Sequence, residues 1–514
     1  MQTTSIIPRT SLLQFTGMAV VVALSLFVIV LSFGAFGLNA DAARVIICIY
    51  SIATLIITLL LWSAYHLTRP AILIVFGAQI YWFAWPAFAT AMDRSHWFSE
   101  RVNYPLNDYD VVIAAGLLWC FSLLFLSSYV FFSRPQASAH DLISPQNRNG
   151  NVFSAPYQYL LVLFALGLLP FIVYGNSPEQ ILQGILGSRS VEKAWAQAAF
   201  ESNPIYIIGR SSLVTFGLLC LASLFSGTLR SRFILLIGFI FAFLVTFLDS
   251  GTRTWTLLIL MPALLIRLTH KSLSRPVFIA FLVISLPAIY LLGRIQLMAR
   301  DTGFSIERGS LLQLVSLWEQ EDKAATGDND FFSETAVAAS LVPGKMDYIH
   351  EVNLVLFLTN PIPRSLWPEK PYPKTIQMYS LGRTGFDEYL IRGNSRMPSI
   401  VGQYHMNWGA GGVVFIGFIY GLLTAWIDKL WIRAKRTYLR IFLATLIAWL
   451  FISYRGMFPG FHYPVILTGL LALYEYRNTR PVPHIIIPQT LEAEDSESVK
   501  TRSSYPAHFE KTVD

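Results

Sequence analysis

The chain has 514 residues, of which 54% are hydrophobic and 13% charged, and its mean hydropathy is +0.51. This composition excludes an ordinary soluble domain and is typical of a protein that crosses a membrane several times. The net charge of +7 does not indicate nucleic-acid binding, because the cations lie mainly in loops between apolar runs and no nucleic-acid-binding motif is present. The three cysteines lie inside apolar runs and indicate neither a disulfide framework nor a metal cluster.

Apolar runs long enough to cross about 30 Å of hydrocarbon recur along the chain. They predict an all-α, polytopic integral membrane protein with about twelve transmembrane helices, at 12–36, 45–66, 71–90, 111–132, 156–174, 205–225, 233–248, 254–268, 277–293, 409–426, 439–454 and 461–476. Lys and Arg are more frequent in the loops that this order places inside, which predicts that both termini are cytoplasmic.

Four regions follow from these spans. Residues 1–293 hold transmembrane helices 1 to 9, residues 294–408 form one large loop on the outer side, and residues 409–476 hold helices 10 to 12. The polar, acidic residues 477–514 predict a disordered cytoplasmic tail. Within the large loop, apolar residues at helical spacing predict amphipathic helices at the membrane surface, around residues 307–321 and 349–358.

The second half of the large loop is rich in arginine, proline and tryptophan. Prolines on both sides of Ile362 and again after Trp367 fix φ, so Arg364 is expected on a rigid turn. Arginine can grip a phosphate through two parallel hydrogen bonds, which indicates a preformed site for an anionic substrate. The alternative is an ordinary extramembrane cap whose arginines pair with its own acids.

A short hairpin between the seventh and eighth predicted spans carries Asp249 and Arg253 close to the membrane face. Charges at that depth are costly and often functional, although a helix-capping turn with a snorkelling arginine would give the same pattern. The predicted topology brings Arg294 and Arg455 to the same side. We therefore expect arginines from four segments to converge on one outer rim, around a phosphate-bearing head group.

Three motifs between about residues 240 and 460 carry a resemblance to a known family. They are the Ser250-Gly-Thr-Arg253 hairpin, the Pro363-Arg-Ser-Leu-Trp-Pro-Glu-Lys-Pro371 run, and the segment Pro398-Ser-x-x-Gly-x-x-x-x-Asn407-Trp-Gly409-x-x-Gly412. Together they resemble the oligosaccharide repeat-unit polymerases, the Wzy-type O-antigen and exopolysaccharide polymerases of the bacterial inner membrane. The resemblance implies a GT-C-like, metal-independent membrane glycosyltransferase with no cofactor. Its donor and acceptor would both be oligosaccharides linked to undecaprenyl pyrophosphate, joined at the periplasmic face.

This chemistry needs positive charge to stabilise the departing pyrophosphate and a base to deprotonate the attacking hydroxyl. The sequence leaves the base open among His405, Asp387, Glu388 and Asp249. A histidine bonded to a backbone carbonyl is the alternative for His405, and an aromatic belt is the alternative for Trp367. We assign to catalysis Arg253, Arg364, His405, Glu388 and Asp249, and to substrate binding Arg294, Arg300, Arg392, Arg396, Arg455, Trp367 and Asn407, with no metal ligand.

Two other functions fit parts of the pattern. An O-antigen ligase would share the topology, the lipid donor and the outer arginines, but would deliver the glycan to a lipid-A core. A transporter or flippase would carry charges inside its spans, and predicted spans one to six have almost none in their interiors. The expected location is the bacterial inner membrane. The expected partners are the lipid bilayer, the lipid-linked glycans, a chain-length regulator and a flippase, but no nucleic acid.

Overall fold

In a computed structural model of the chain, the structure describes residues 40–65, 68–92, 104–133, 156–175, 177–186, 204–224, 229–250, 253–270, 330–351, 362, 367, 369, 374–384, 397–434, 436–456 and 462–478. All regular structure in these residues is helical. The helices are α1 (Ala40–Tyr65), α2 (Pro70–Met92), α3 (Asp108–Phe132), α4 (Tyr157–Tyr174), α5 (Pro178–Leu186), α6 (Pro204–Ser223), α7 (Leu229–Ser250), α8 (Arg253–His270), α9 (Phe331–Leu341), α10 (Lys374–Thr384), α11 (Ser399–Arg433), α12 (Thr437–Ser453) and α13 (Tyr463–Asn478).

The prediction of an α-helical membrane protein is confirmed. Among the described residues, six helices are long and apolar enough to cross a membrane, namely α1, α2, α3, α4, α6 and α11, and each overlaps a predicted span. The spans predicted at 233–248, 254–268, 439–454 and 461–476 correspond to α7, α8, α12 and α13. The apolar part of each of these helices is shorter than in the six helices above, or its side chains are less hydrophobic. The spans predicted at 12–36 and 277–293 lie outside the described residues, so the count of twelve stays a prediction.

Among the described residues of the large predicted loop, α9 and α10 lie wholly inside it and α11 begins inside it. Neither α9 nor α10 falls where an amphipathic helix was expected. Ile349, His350 and Glu351 are not helical, and the rest of 349–358 and all of 307–321 lie outside the described residues. Instead α9 is apolar and buried on nearly every side, because it packs between α3, α11 and α10. We call residues 330–351, 374–384 and 397–408 the α9–α10 layer.

The described helices pack in two groups. The first core joins α1, α2, α3, α9, α11 and α12 with Leu265 of α8, and the second joins α4, α6, α7 and α8 with Ile441 of α12 and Leu471 of α13. Helix α8 connects them, because Trp255, Leu258 and Ile259 pack against Ala448 and Ile452 of α12. Residues 1–472 form one compact unit, and a second begins at Leu473 in the last turns of α13. Outward-facing leucines, isoleucines and phenylalanines on α1, α4 and α7 are exposed, as expected for surfaces that face lipid.

Helices α3 and α11 approach each other so closely that glycine is required at two positions of α11. A Cβ added to Gly421 would lie 1.9 Å from Ser128 Oγ and 2.1 Å from the Phe125 carbonyl oxygen. A Cβ on Gly417 would lie 2.7 Å from the Phe121 carbonyl oxygen. These two glycines form a Gly-x-x-x-Gly motif, which lets two backbones pack closely in a membrane.

Near the other end of α11, the buried carboxylate of Asp428 binds the first turn of α2. Asp428 Oδ1 accepts a hydrogen bond from Ala71 N at 2.9 Å, and Oδ2 accepts from Ile72 N at 3.1 Å. The hydroxyl of Tyr129 in α3 donates to Oδ2 at 2.9 Å. Because the first backbone N–H groups of a helix lack partners within the helix, Asp428 caps α2 from another segment and ties three helices together.

Helix α11 changes direction at Gly409, where φ is 62° and ψ is −151°. A left-handed backbone favours glycine, and a Cβ here would also lie 3.1 Å from the Tyr348 hydroxyl oxygen. The kink separates an outer segment, Ser399 to Trp408, from the long apolar part of α11. The outer segment belongs to the α9–α10 layer: Ile349 N donates to the Met406 carbonyl at 3.0 Å.

The contact between α3 and α11 gives the first testable prediction. We expect Gly421→Ala to destabilise the protein by about 1–3 kcal/mol, because the added methyl group forces the two helices apart. The measurement is thermal unfolding of the detergent-purified protein. Gly411→Ala is the matched control, since Gly411 lies on the same helix with nothing within 4 Å of an added Cβ. Equal melting temperatures for the two variants would contradict this account of the packing.

Candidate functional site

Arg455 lies where four segments of the chain meet. Its Nη1 donates a hydrogen bond to Thr254 Oγ1 in the first turn of α8, at 2.8 Å. Its Cζ lies 5.9 Å from the ring centroid of Trp82 in α2 and 5.6 Å from that of Phe331 in α9. The guanidinium is thus held by one hydroxyl and two aromatic faces, contacts that suit its flat, delocalised charge.

The backbone that carries Arg455 is fixed by the end of α12. Arg455 N donates to the Ile452 carbonyl at 3.0 Å, and Gly456 follows with φ of 129°, which ends the helical path. The Tyr454 carbonyl accepts a hydrogen bond from Ile400 N in the first turn of α11, at 2.9 Å. Arg455 is therefore anchored to α8, α12 and the α9–α10 layer at once.

A second buried arginine, Arg210, approaches the same turn of α8 from α6. Its side chain is 9% exposed, and its Cζ lies 5.5 Å from the ring centroid of Trp255, the residue after Thr254. Its Nη1 donates to the hydroxyl of Tyr206, one turn earlier in α6. Arg210 is not among the predicted site residues, because spans one to six were taken to have almost no charge in their interiors. A lone arginine inside an apolar run was the signal that could have found it.

His405 lies in the outer segment of α11 and is 7% exposed. Its Nε2 lies 3.1 Å from the Val342 carbonyl oxygen, which assigns the ring proton to Nε2. Nδ1 then carries the lone pair, and it has no hydrogen-bond partner among the described residues. This is the carbonyl-bonded histidine offered as the alternative above. It is also the arrangement in which an orienting bond leaves the second nitrogen available as a base.

Asn407, assigned above to substrate binding, is fully buried and joins three elements of the α9–α10 layer. Its Oδ1 accepts hydrogen bonds from Glu351 N at 3.0 Å and from Thr375 Oγ1 at 2.9 Å. Its Nδ2 donates to the Gln403 carbonyl at 3.0 Å. The Glu351 carboxylate in turn accepts from Lys374 N and Thr375 N, so it caps α10. These hydrogen bonds hold the α9–α10 layer together. A substrate contact of Asn407 stays a prediction.

A buried ion pair lies between α9 and α10. Arg383 Nη1 is 2.5 Å from both carboxylate oxygens of Glu334, and the Tyr379 hydroxyl donates to the same carboxylate. Burial lowers the pKa of the Arg383 guanidinium, but the Glu334 carboxylate and Tyr379 outweigh this effect and leave the pKa raised. For Arg383, the alternative of pairing with an acid of the same loop is therefore the one observed.

The structure describes only some of the remaining predicted site residues. Trp367 is 37% exposed, which suits both a sugar contact and an interfacial aromatic residue. Asp249 is in the last turn of α7 and Arg253 is the first residue of α8, and their side chains lie outside what the structure describes. Outside the described residues altogether are Arg294, Arg300, Arg364, Asp387, Glu388, Arg392 and Arg396. Among the described residues, no group of three His, Cys, Asp or Glu side chains could hold a metal ion.

Comparison with protein-family models, with curated proteins and with solved structures yields no match to this chain.

The Glu334–Arg383 pair gives a prediction about stability. Glu334→Gln leaves a buried guanidinium without its carboxylate, and we expect a loss of about 3–5 kcal/mol. The double variant Glu334→Gln with Arg383→Met should recover much of this loss, since no buried charge is then left alone. Thermal unfolding of the purified variants measures both, with Glu369→Gln, at an exposed position, as the control. A double variant no more stable than Glu334→Gln would contradict the assignment.

Proposed function

We propose that this protein polymerises oligosaccharide repeat units that are linked to undecaprenyl pyrophosphate, at the periplasmic face of a bacterial inner membrane. The observation that supports this most is the bond from Arg455 to Thr254, two residues 201 positions apart in the chain. It brings Arg455 beside the first turn of α8, which Arg253 begins. A site for a phosphate-bearing lipid requires arginines from separate segments, and the position of Arg455 beside this turn supports such a site.

The chemical roles follow from charge. A glycosyl unit that leaves undecaprenyl pyrophosphate places negative charge on the departing oxygen, and fixed guanidinium groups stabilise that charge better than water does. Arg455 suits this role because a hydroxyl and two aromatic rings already hold it in place. Arg253 and Arg364 are assigned the same role from the sequence.

The acceptor hydroxyl needs a base, and we assign this role to His405. Its Nε2 is bonded to the Val342 carbonyl, so the neutral ring carries its lone pair on Nδ1, a buried atom that can accept a proton. The outer segment of α11 that carries His405 is bonded through Ile400 N to the Tyr454 carbonyl, next to Arg455. The proposed base and the proposed stabiliser of the leaving group thus belong to directly connected backbone.

The alternative functions, ligase and transporter, would require different roles of the charged residues. A ligase would use the same donor site and differ only in its acceptor. A coupled transporter would use charged groups within the membrane, and Asp428 is such a group. Its carboxylate, however, is engaged by Ala71 N, Ile72 N and the Tyr129 hydroxyl, which describes a helix-joining role. Arg210, a second buried charge inside a span, likewise contacts Tyr206 one turn earlier and Trp255 of α8. These contacts favour an enzyme over a carrier.

Deletion of the gene from its polysaccharide-producing host separates the three functions. Loss of a polymerase leaves a ligase free to attach a single repeat unit, so short glycolipid is expected and long chains disappear. Loss of a ligase would strand long polymer on undecaprenyl pyrophosphate, and loss of a flippase would trap single units inside the cell. Glycolipid electrophoresis and mass spectrometry of the lipid-linked glycans provide the measurement. Long lipid-linked polymer in the deletion strain would refute the polymerase.

Complementation of the deletion strain then tests the assigned residues. We expect His405→Gln and Arg455→Gln to restore no long chains, because one lacks the base and the other the positive charge. Arg440→Gln is the matched control, since Arg440 lies near the opposite end of α12 and bonds the Ala434 carbonyl at 2.8 Å. Long chains made by the His405 and Arg455 variants at normal protein levels would remove these residues from the mechanism.

A further inference from the structure

His350 has a backbone conformation that is uncommon for a residue with a side chain. Its φ is 56°, in the left-handed region, where Ser399 is the only other residue besides glycine in the part of the chain that the structure describes. A Cβ in this region crowds its own backbone and costs free energy. Glycine would adopt the same conformation without that cost, so the presence of a histidine here needs a reason.

The outer segment of α11 holds the backbone around His350 in this conformation. Ile349 N donates to the Met406 carbonyl at 3.0 Å. His350 N donates to the Asn407 carbonyl at 3.3 Å, and Glu351 N donates to the Asn407 side chain at 3.0 Å. Strained residues that are fixed in this way by their surroundings cluster at functional sites. Because the His350 side chain is exposed, packing of the core does not explain it.

The His350 ring lies beside an exposed tryptophan. The ring centroids of His350 and Trp408 are 5.2 Å apart, with an angle of 63° between the planes, and Trp408 is 46% exposed. Trp408 is the residue before the kink at Gly409, so the pair lies where the long apolar part of α11 begins. We call this open surface of one indole and one imidazole the His350–Trp408 platform.

Tyr348 connects the platform to the base that we assigned above. Its ring centroid lies 6.2 Å from that of His350 and 6.4 Å from that of His405. A Cβ added to Gly409 would lie 3.1 Å from the Tyr348 hydroxyl oxygen, so the Tyr348 ring also packs against the kink. The platform and His405 are therefore in contact with the same aromatic ring.

An indole beside an imidazole suits the chemistry of a sugar ring. A pyranose carries C–H groups on its faces, which stack on an aromatic ring, and hydroxyl groups at its edge, which need hydrogen-bond partners. A neutral imidazole offers one donor and one acceptor for such hydroxyls. The aromatic belt of a membrane interface would account for an exposed tryptophan alone. It does not account for a strained histidine fixed next to that tryptophan.

We propose that the His350–Trp408 platform binds one sugar ring of the glycan, with the indole stacked on the ring and the imidazole bonded to a hydroxyl. The inference rests on the proposed function, which supplies an oligosaccharide as the substrate class. It adds two residues that the sequence analysis did not assign to the site. It also places a sugar, rather than the lipid diphosphate, on the side of the layer where Tyr348 leads to His405.

The test is binding of a lipid-free oligosaccharide to the full-length protein in nanodiscs. The probe is the repeat unit of the host, released from its lipid carrier by mild acid, and saturation-transfer NMR measures its Kd. We expect Trp408→Leu and His350→Gly each to raise Kd by about fivefold or more, the effect of losing one stacking contact or one hydrogen bond. Sorbitol, an acyclic polyol with hydroxyls but no ring face, should not compete.

Trp426→Leu is the matched control, because Trp426 lies on the same helix and is also 46% exposed. It should leave Kd unchanged. His350→Gly should melt no lower than the wild type, since glycine relieves the left-handed strain. A histidine with a merely structural role would show the reverse, an unchanged Kd and a lower melting temperature. Should His350→Gly not fold, His350→Phe replaces it, because phenylalanine keeps the ring and removes both nitrogens.

A wild-type protein that does not bind the free repeat unit would overturn the inference, as would competition by sorbitol. So would equal losses in Trp408→Leu and Trp426→Leu, or a wild-type Kd in a folded His350→Gly or His350→Phe variant. Binding of a lipid-free glycan needs neither the carrier nor turnover, so this result is independent of the deletion phenotype that tests polymerisation.

Discussion

The fold depends on how closely α11 can approach α3. Gly417 and Gly421 contribute no side chain to the contact with α3, and the buried carboxylate of Asp428, two turns after Gly421, joins the same pair of helices to α2. In a membrane, where the burial of apolar surface adds little to helix association, such close packing and the polar bonds within it supply most of the attraction. The direction of α11 is thereby set along most of its length.

The position of α11 determines where the other residues of the proposed site lie. The kink at Gly409 turns the outer segment of α11 into the α9–α10 layer, where Asn407 and Glu351 bind it to α10 and His405 binds it to Val342. The first turn of α11 is bonded to Tyr454, next to Arg455, and Arg455 in turn binds α8. The Arg455 guanidinium and the His405 ring are thus held by a continuous set of hydrogen bonds, which is the preorganisation that the proposed catalysis would need.

Much of the membrane architecture could be predicted from the sequence, because the length of an apolar run directly reflects the thickness of a bilayer. The runs at 45–66 and 111–132 became α1 and α3 for that reason. The partners of polar residues could not be predicted in the same way. Arg455 was assigned to the site, yet its bond to Thr254 joins residues 201 positions apart, and the Val342 carbonyl that orients His405 comes from a loop 63 residues earlier. The same holds for Arg383. From the sequence, this arginine could contact a substrate or pair with an acid, and the packing of α9 against α10 is what places it beside Glu334.

The most direct test of the proposed polymerase is reconstitution of the purified protein in proteoliposomes with a single lipid-linked repeat unit from its host, in the presence of a metal chelator. The account predicts a ladder of glycans in whole multiples of that unit, with one undecaprenyl pyrophosphate released for each bond formed. Unchanged repeat units after incubation with the folded protein, or transfer only to an added lipid-A core, would contradict it.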